Sequence, residues 1–562
     1  MSNEVISTLS GKPKANTLLD FITEKSIRNK KLDWLQKSKG QFYTHNFIGE
    51  KLVISIVDNI RFDEGKKEIS IIDPFCGDGR LICSLLKRFH MVNKYKSAIL
   101  KISYWDIDSD AVKLAGLNIQ NEANKLGLNV LLEGKVCDTF LHAENYTNYY
   151  DICVTNPPWL ILKPDKKEKD SLSKEEQIEY VEALKNFDDF LSRFYPLSLP
   201  SKKYGGWGTN LARCGTEVAL RLISNKGICG IVSPASLIGD QVSINLREWI
   251  FNNFYAHNIS YYVAEAKLFG KVDQASITLI LSPKSDNDNN EIIPSLFQYD
   301  KYLNEKSYKL DIDNWAFIKS QNYVIPVQFG IQLLNMNKLF APLPTVGDLE
   351  KKKVLWLGRE IDETRIDEKL VDEGEYRFIK GKMIVRYNLV DGSKLFVDTN
   401  KVKKIPKSVD YYRLIWRDVS RATQKRRLIA TIIPPTYITG NSLHVAYFID
   451  NNIKKLRALL AIMNSLVFEV QVRTLSSTNH VSLGVIRETR LPKLTDKDIE
   501  ELSQLVDSYE GVESEINLEI KVAQLYGLSY RDFSFILSLF EKISAEEKEK
   551  MLMEAKGKLK GR

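Results

Sequence analysis

The chain is poor in the residues that staple small secreted domains or bind metals through local motifs. Its 562 residues contain six cysteines and six histidines. The cysteines, Cys76, Cys83, Cys137, Cys153, Cys214 and Cys229, form no Cys-x-x-Cys pair, and several lie in apolar runs. They are expected to be reduced core thiols in a cytoplasmic protein, not a disulfide framework. The histidines are scattered, so no metal site is expected. No apolar run reaches the ~18 residues of a membrane-spanning helix. The start, Met1-Ser2-Asn3-Glu4, lacks a basic-then-apolar pattern, so neither a membrane span nor a secretory signal is expected. No internal repeat is present.

Apolar residues make up 44% of the chain, enough to bury sizeable cores. The length suggests roughly two to four domains. Net charge is +8, and its placement is uneven. Between Lys401 and Ala430 there are ten Lys or Arg and two Asp or Glu, so this stretch alone supplies +8 and the remainder is formally neutral. A concentrated basic run suits a polyanionic partner, and from charge alone it equally suits a solvated face.

Residues 1–35 read as a short helical leader. From 36 to 285, apolar strand-like runs alternate with helical patterns, as in a doubly wound, Rossmann-like α/β sheet. Strands are predicted at Ile69–Asp73, Ile102–Asp106, Asp151–Thr155, Ile228–Ser233, Ile259–Val263 and Ser276–Leu281. The last two follow one another without a long helix, as an antiparallel edge pair would. Residues 286–325, entered through a polar run, read as a linker. Residues 326–495 read as a mixed α+β region of short strands, interrupted by one long helix at about Ile453–Val472. Residues 496–562 read as a charged helical tail, frayed at its end.

Ile71-Ile72-Asp73-Pro74-Phe75-Cys76-Gly77-Asp78-Gly79-Arg80 is an apolar strand entering a glycine turn and then a helix. Gly77 and Gly79 permit a tight turn and a close ligand approach. The spacing is not Gly-x-Gly-x-x-Gly and no Gly-Lys-Ser/Thr follows, which disfavours a phosphate cradle. Asp73 at the strand end suits an ammonium group, with Phe75 beside it. In Trp105-Asp106-Ile107-Asp108, the Asp106 carboxylate can accept from ribose hydroxyls and Ile107 can cover a nucleobase face. Asp108 reads as the cap of the following helix. Asp138, after a third strand-like run, can accept from the ligand's adenine amine. Any one of these acids alone is better explained as a loop or helix-cap residue.

Asp151-Ile152-Cys153-Val154-Thr155-Asn156-Pro157-Pro158-Trp159 carries a buried strand straight into Asn-Pro-Pro-Trp. Pro157 and Pro158 fix φ and remove two N–H donors, so the carbonyls there are presented rigidly. The Asn156 side-chain oxygen and the Pro157 carbonyl can both accept from one NH2 group while Trp159 stacks on a planar base. Two acceptors on one exocyclic amine localise its lone pair, making it a nucleophile by positioning and electrostatics.

These two motifs together resemble the amino-methyltransferases of bacterial restriction-modification systems. Their order, with a large C-terminal region after them, resembles the gamma arrangement of the N6-adenine DNA methyltransferases. The resemblance implies S-adenosylmethionine as cofactor, double-stranded DNA as partner, adenine N6 as target, base flipping, and a separate cognate endonuclease. Gly40-Gln41-Phe42-Tyr43-Thr44 resembles the family segment at the methionine end of the cofactor, which implicates Tyr43 and Thr44; where the family has Pro next, this chain has His45. Asn225–Pro234 resembles the strand supporting the catalytic loop. Leu268-Phe269-Gly270-Lys271-Val272 resembles the segment whose aromatic residue packs on the flipped base, so Phe269 and Trp159 are expected to sandwich it. Trp416–Arg421 and Ile432–Pro435 resemble target-recognition regions. There Arg413, Arg417, Arg421, Lys425, Arg426 and Arg427 are the candidate DNA contacts, mostly to phosphates. The lysine-rich segment Leu160–Asn210 reads as an insertion at the mouth of the site, touching DNA or simply solvated. RNA adenine methylation and N4-cytosine methylation share the chemistry. A release-factor or small-molecule methyltransferase needs no basic C-terminal half of this size. A non-catalytic DNA-specificity subunit would not need the intact motifs.

Overall fold

The computed structural model describes residues 44–559 apart from 63–64, 94, 96, 165–168, 200–208, 271–273, 286–290, 327–329, 363–365, 391–394, 403, 421–423 and 476–478. The chain divides into two compact units, one running to residue 328 and the other starting at residue 329.

The first unit begins with α1 (Asn46–Asn59), capped by His45, whose Nδ1 accepts from the Phe47 N–H. The alternation then runs β1 (Glu68–Asp73), α2 (Arg80–Met91), β2 (Ile99–Asp106), α3 (Ser109–Leu126), β3 (Val130–Val136), α4 (Thr139–His142) and β4 (Tyr150–Thr155). It continues through α5 (Lys174–Phe194), α6 (Leu211–Leu222), β5 (Ile223–Pro234), α7 (Ile244–Asn253), β6 (Phe254–Tyr262) and β7 (Ser276–Pro283). The unit ends with β8 (Ser295–Tyr299), β9 (Glu305–Lys309) and α8 (Ile312–Ser320).

All nine strands form one sheet in the order β3-β2-β1-β4-β5-β7-β6-β8-β9. β1 pairs in parallel with both β2 and β4, so the chain winds outward to β3 and then returns to the other side of β1. That reversal leaves a crevice at the C-terminal ends of β1 and β4, where doubly wound sheets bind ligands. β7 lies antiparallel between β5 and β6. It is not part of an edge pair as expected, because β8 and β9 extend the sheet past β6. The expected linker at 286–325 therefore contains two strands and a helix. β8 and β9 have five residues each, and the outer one, Glu-Lys-Ser-Tyr-Lys, carries three charges. Charges on an edge strand protect it from further pairing and make it read as a loop. α8 anchors the extension by burying Trp315 against Phe251 and Tyr323.

The second unit contains α9 (Gly330–Phe340), α10 (Val346–Lys351) and two four-stranded sheets. The strands are β10 (Leu355–Gly358), β11 (Leu370–Val371), β12 (Arg377–Ile379), β13 (Phe396–Val397), β14 (Arg413–Arg417), β15 (Ala430–Ile433), β16 (Tyr437–Thr439) and β17 (Leu443–Phe448). One sheet is ordered β10-β17-β14-β15 and the other β11-β13-β12-β16. Helices α11 (Ile453–Met463), α12 (Leu466–Leu475), α13 (Leu483–Glu488), α14 (Asp496–Asp507), α15 (Val512–Leu525), α16 (Tyr530–Ser538) and α17 (Ala545–Ala555) follow.

The long helix expected at 453–472 is α11 and α12, bent by 66° at the break between them. Asn464 ends the first: its side chain accepts from the Ala430 N–H and donates to the Ala430 carbonyl. Ser465 starts the second by accepting from the Phe468 N–H. The residues expected as a separate charged tail share one apolar core with the rest of the unit, from Leu333 to Leu559, with Phe533, Ile536 and Ala555 fully buried. Among the described residues no single helix is long and apolar enough to cross a membrane.

Candidate active site

The buried Asp73 ends β1, where its Oδ1 accepts from the Phe75 N–H at 3.1 Å and from the Thr155 hydroxyl at 2.8 Å. Burial pushes its carboxyl up to about 7, against the hydrogen bonds from Thr155 and Phe75. The turn that follows needs its glycines. Gly77 and Gly79 have φ of 52° and 78°. A Cβ on Gly79 would also lie 3.1 Å from Ala115 Cα, so the turn rests directly on α3. The turn is tied to the tip of β2 by Cys76 N–H donating to the Trp105 carbonyl at 2.9 Å and Gly77 N–H donating to Asp106 Oδ2 at 2.9 Å.

Asp106 Oδ1 accepts from the Asp108 N–H at 3.0 Å, and burial raises this carboxyl above its ordinary value. Each carboxylate oxygen keeps a second lone pair for a ligand. Ile107 is half-buried beside it. Asp108 caps α3, as expected, by accepting from the Asp110 N–H. Asp138 caps α4 by accepting from the Phe140 N–H at 2.9 Å, and burial pushes its carboxyl up to about 6. Thr139 donates to the Pro74 carbonyl, and the Phe75 and Phe140 rings lie 5.4 Å apart. Phe75, Gly77, Gly79, Asp106, Ile107 and Asp138 thus gather at the C-terminal ends of β1, β2 and β3. Arg80 grips Asp78 and donates from Nη1 to the Thr44 carbonyl at 2.9 Å, which brings the buried Thr44 to the same turn. Tyr43 lies outside the described residues.

Asn156-Pro157-Pro158-Trp159 leaves the end of β4, with Pro157 buried and the other three half-buried. Two residues not singled out from sequence hold it there. Thr155 is fully buried and spends its hydroxyl on Asp73, joining the two strand tips. Gly215 lets α6 pass against the motif: a Cβ there would lie 2.4 Å from Pro157 Cβ and 3.2 Å from Phe75 Cε2. The available signal was a glycine inside a pattern that otherwise favours a helix, a costly choice without a packing reason.

Phe269 is buried, and its ring centroid lies 4.4 Å from that of Trp159. A planar base between two aromatic faces needs about 7 Å, twice the ordinary carbon–carbon contact distance. The two rings therefore form one aromatic wall and not the expected sandwich. In the Leu160–Asn210 insertion, α5 carries six acidic and three basic residues, an unfavourable surface for a polyanion.

The described arginines of the basic run are turned largely inward, whereas Lys401, Lys404, Lys407 and Lys425 are exposed. Arg413, fully buried, donates to Glu360 Oε1 at 2.7 Å and to the Tyr437 and Pro434 carbonyls, each at 2.8 Å. Arg426, buried, donates to Glu469 at 2.8 Å and Glu519 at 2.9 Å. Arg427 is buried, with its backbone N–H on Glu469 at 2.7 Å. These three are structural and not the DNA contacts expected of them. The acidic partners of Arg413 and Arg426 lie far away in sequence, so local net charge did not report exposure. Arg417 is half-buried, with Nη2 donating to the Ile384 carbonyl, and Lys425 is exposed and paired with Glu547. Arg421 lies outside the described residues.

Residues 29–190 match the family model described as N-6 DNA Methylase. Among solved structures, a nuclease-deletion mutant of the Type ISP restriction-modification enzyme LlaGI, in complex with a DNA substrate mimic, matches with TM-score 0.50 and 12% identity over 84% of this chain. This chain spans 55% of the length of that one. The Type IIL restriction-modification enzyme MmeI, in complex with DNA, matches with TM-score 0.46 and 12% identity, covering 98% of this chain and 79% of its own. The type IIG restriction endonuclease BpuSI matches with TM-score 0.42 and 13% identity, covering 93% of this chain and 67% of its own. The likeness to the LlaGI structure, at 12% identity, speaks to the fold alone.

Proposed function

We propose, from the premise that this chain is an N6-adenine DNA methyltransferase with its family match at residues 29–190, that Asn156 and Pro157 hold the adenine amino group while the glycine turn holds S-adenosylmethionine. The observation that carries this assignment is the 2.8 Å bond from Thr155 to Asp73, which fixes the residue before Asn156 to the strand that opens the glycine turn. Asn156 Oδ1 and the Pro157 carbonyl accept from the two N–H bonds of the amine and localise its lone pair. Trp159, backed by Phe269, offers one face for stacking, so the extruded base lies on the wall and not within it.

The residues around the turn fit the cofactor. Gly77 and Gly79 hold the turn in left-handed backbone conformations, Asp106 and Asp138 suit ribose hydroxyls and an adenine amine, and Phe75 and Ile107 cover apolar faces. Asp73 and the segment at Tyr43 and Thr44 serve its methionine end. When bound, S-adenosylmethionine supplies an electrophilic methyl group on a positively charged sulfur. The second unit serves target recognition. The setting is a restriction-modification system in a bacterial cytoplasm, with a separate cognate endonuclease as partner.

The test is sequencing of DNA, with modified adenines identified, from cells expressing the wild type or Asn156→Ala. N6-methyladenine at one recurrent sequence in the wild type and none in the variant is expected. Full modification by the variant, or none by the wild type, overturns the reading.

A further inference from the structure

Outside the basic run, Arg359 of the second unit is an exposed arginine held in a fixed orientation. Arg359 follows β10, and its side chain is 46% exposed. Its Nε donates to His444 Nδ1 at 3.3 Å, and its Nη2 donates to Asp418 Oδ2 at 3.2 Å. His444, almost fully buried, makes its other bond from Nε2 to Asp418 Oδ1 at 3.0 Å. Nδ1 accepts from Arg359 only when it carries no proton, so this ring is the neutral Nε2–H tautomer. Burial favours that form, lowering the His444 pKa against the pull of Asp418. Burial works against ionisation of Asp418, yet hydrogen bonds from His444 and His480 outweigh it and hold the carboxyl well below its ordinary range. His480, 57% exposed, contributes through Nδ1 to Asp418 Oδ2 at 3.2 Å.

A long, exposed arginine ordinarily gains little from a surface ion pair, because fixing its rotamers offsets the attraction. Here a buried imidazole and a largely buried carboxylate fix the guanidinium plane from the inner side. The Nη1 group and the second N–H of Nη2 are left without partners among the described residues, along the terminal edge of the fork. That edge is the one that donates to guanine O6 and N7 in the major groove. A phosphate at the same place would sit beside the ionised Asp418 and be repelled by it, whereas the neutral guanine edge is not.

We propose that Arg359 reads a guanine of the target sequence, with Asp418 and His444 as its positioning residues. This rests on the reading of the second unit as the target-recognition part. The test uses the full chain and selects bound duplexes from a random-sequence DNA pool with the wild type, Arg359→Gln and Arg359→Lys. The modified motif is mapped in cells expressing each. The wild-type consensus should contain a guanine whose preference falls by about 5- to 150-fold in both variants, with the other positions retained. Asp418→Asn should weaken the same position by less, since the arginine remains but is less well held.

A consensus that keeps every position in Arg359→Gln overturns the proposal. So does a uniform loss of affinity across sequences with a shallower salt dependence, the mark of a phosphate contact. If the wild type selects a consensus but modifies no adenine, the functional reading fails while the guanine assignment is still decided by the selected sequences.

Discussion

The two units place their functional chemistry in opposite ways. In the first, Asp106, Asn156 and Trp159 sit half-buried at strand tips, with Asp106 held by the Gly77 and Asp108 N–H groups. In the second, the arginines of the densest cluster of positive charge point inward, with Arg413 and Arg426 paired to Glu360, Glu469 and Glu519, while its described lysines stay exposed. A motif that works through backbone geometry is written in consecutive residues. Exposure of a charge depends on partners that can lie anywhere in the chain, so a local count of lysines and arginines carries little information about it.

The strongest way to break this contrast is Asn156→Ala. Loss of one of two acceptors on the amine should lower kcat by about 100- to 1000-fold or more, with S-adenosylmethionine affinity within about twofold of wild type. Single-turnover transfer of a tritiated methyl group, with cofactor titration calorimetry, measures both. A large drop in cofactor affinity would instead place Asn156 in the cofactor site.

For the second unit, Arg426→Ala should destabilise the fold by up to about 3–5 kcal/mol, because it leaves the buried Glu469 with Arg473 alone and the buried Glu519 with only Arg386 at 3.6 Å. Denaturant unfolding checks this. If the variant keeps wild-type stability but loses DNA affinity with a shallower salt slope, Arg426 is a phosphate contact after all.

Asp106→Ala sharpens the first half of the contrast. Each charge-assisted bond to a ribose hydroxyl is worth about 1.5–3 kcal/mol at most, so cofactor affinity should fall by roughly tenfold or more. Unchanged affinity means that the carboxylate serves only the Gly77 and Asp108 amides. Gly215→Ala should cost about 1–3 kcal/mol of stability by overpacking against Pro157. It should also lower kcat by displacing the motif, and circular dichroism melting beside the transfer assay separates the two effects.

The last of these effects is a pH dependence. Asp73 has its folded pKa raised from the ordinary carboxylate value to about 7. The folded state therefore holds a proton that the unfolded state has lost between roughly pH 4 and pH 7. The contribution of Asp73 is fully present below about pH 4 and declines by about 1.4 kcal/mol per pH unit up to about 7. Asp73→Asn keeps an acceptor for the Thr155 hydroxyl and the Phe75 N–H without this decline. Measured without cofactor, its melting temperature should gain on that of the wild type from pH 5 to 7 and then run parallel. A constant offset across that range means that Asp73 is ionised throughout.

How far the sequence carried varied with the kind of signal. Buried runs such as Ile69–Asp73 and Asp151–Thr155 gave β1 and β4 to within a residue at each end, because a strand buried in a parallel sheet is apolar along its whole length. β5 begins at Ile223, five residues ahead of the expected start, since its opening residues Ser224, Asn225 and Lys226 are polar and unburied. β9 was missed for the same reason in stronger form, and β8, only five residues long, follows a polar run that reads as a loop. The bend at Asn464 depends on hydrogen bonds to Ala430, a partner that no periodicity within the helix reveals. In the candidate site, the glycine turn and Asn-Pro-Pro-Trp were legible as local patterns. Thr155 and Gly215 were not, because their roles exist only once β1 and α6 have been folded against the motif.

The hydrogen bond between Thr155 and Asp73 spans 82 positions of sequence and crosses from one strand tip to the next. In mechanical terms it makes the two tips a single jig. A twist of the glycine turn is transmitted to the peptide preceding Asn156, and a shift of the Asn-Pro-Pro-Trp loop is felt at the turn. Neither half can drift without dragging the other, so their alignment is set when the sheet folds and not each time the two ligands arrive.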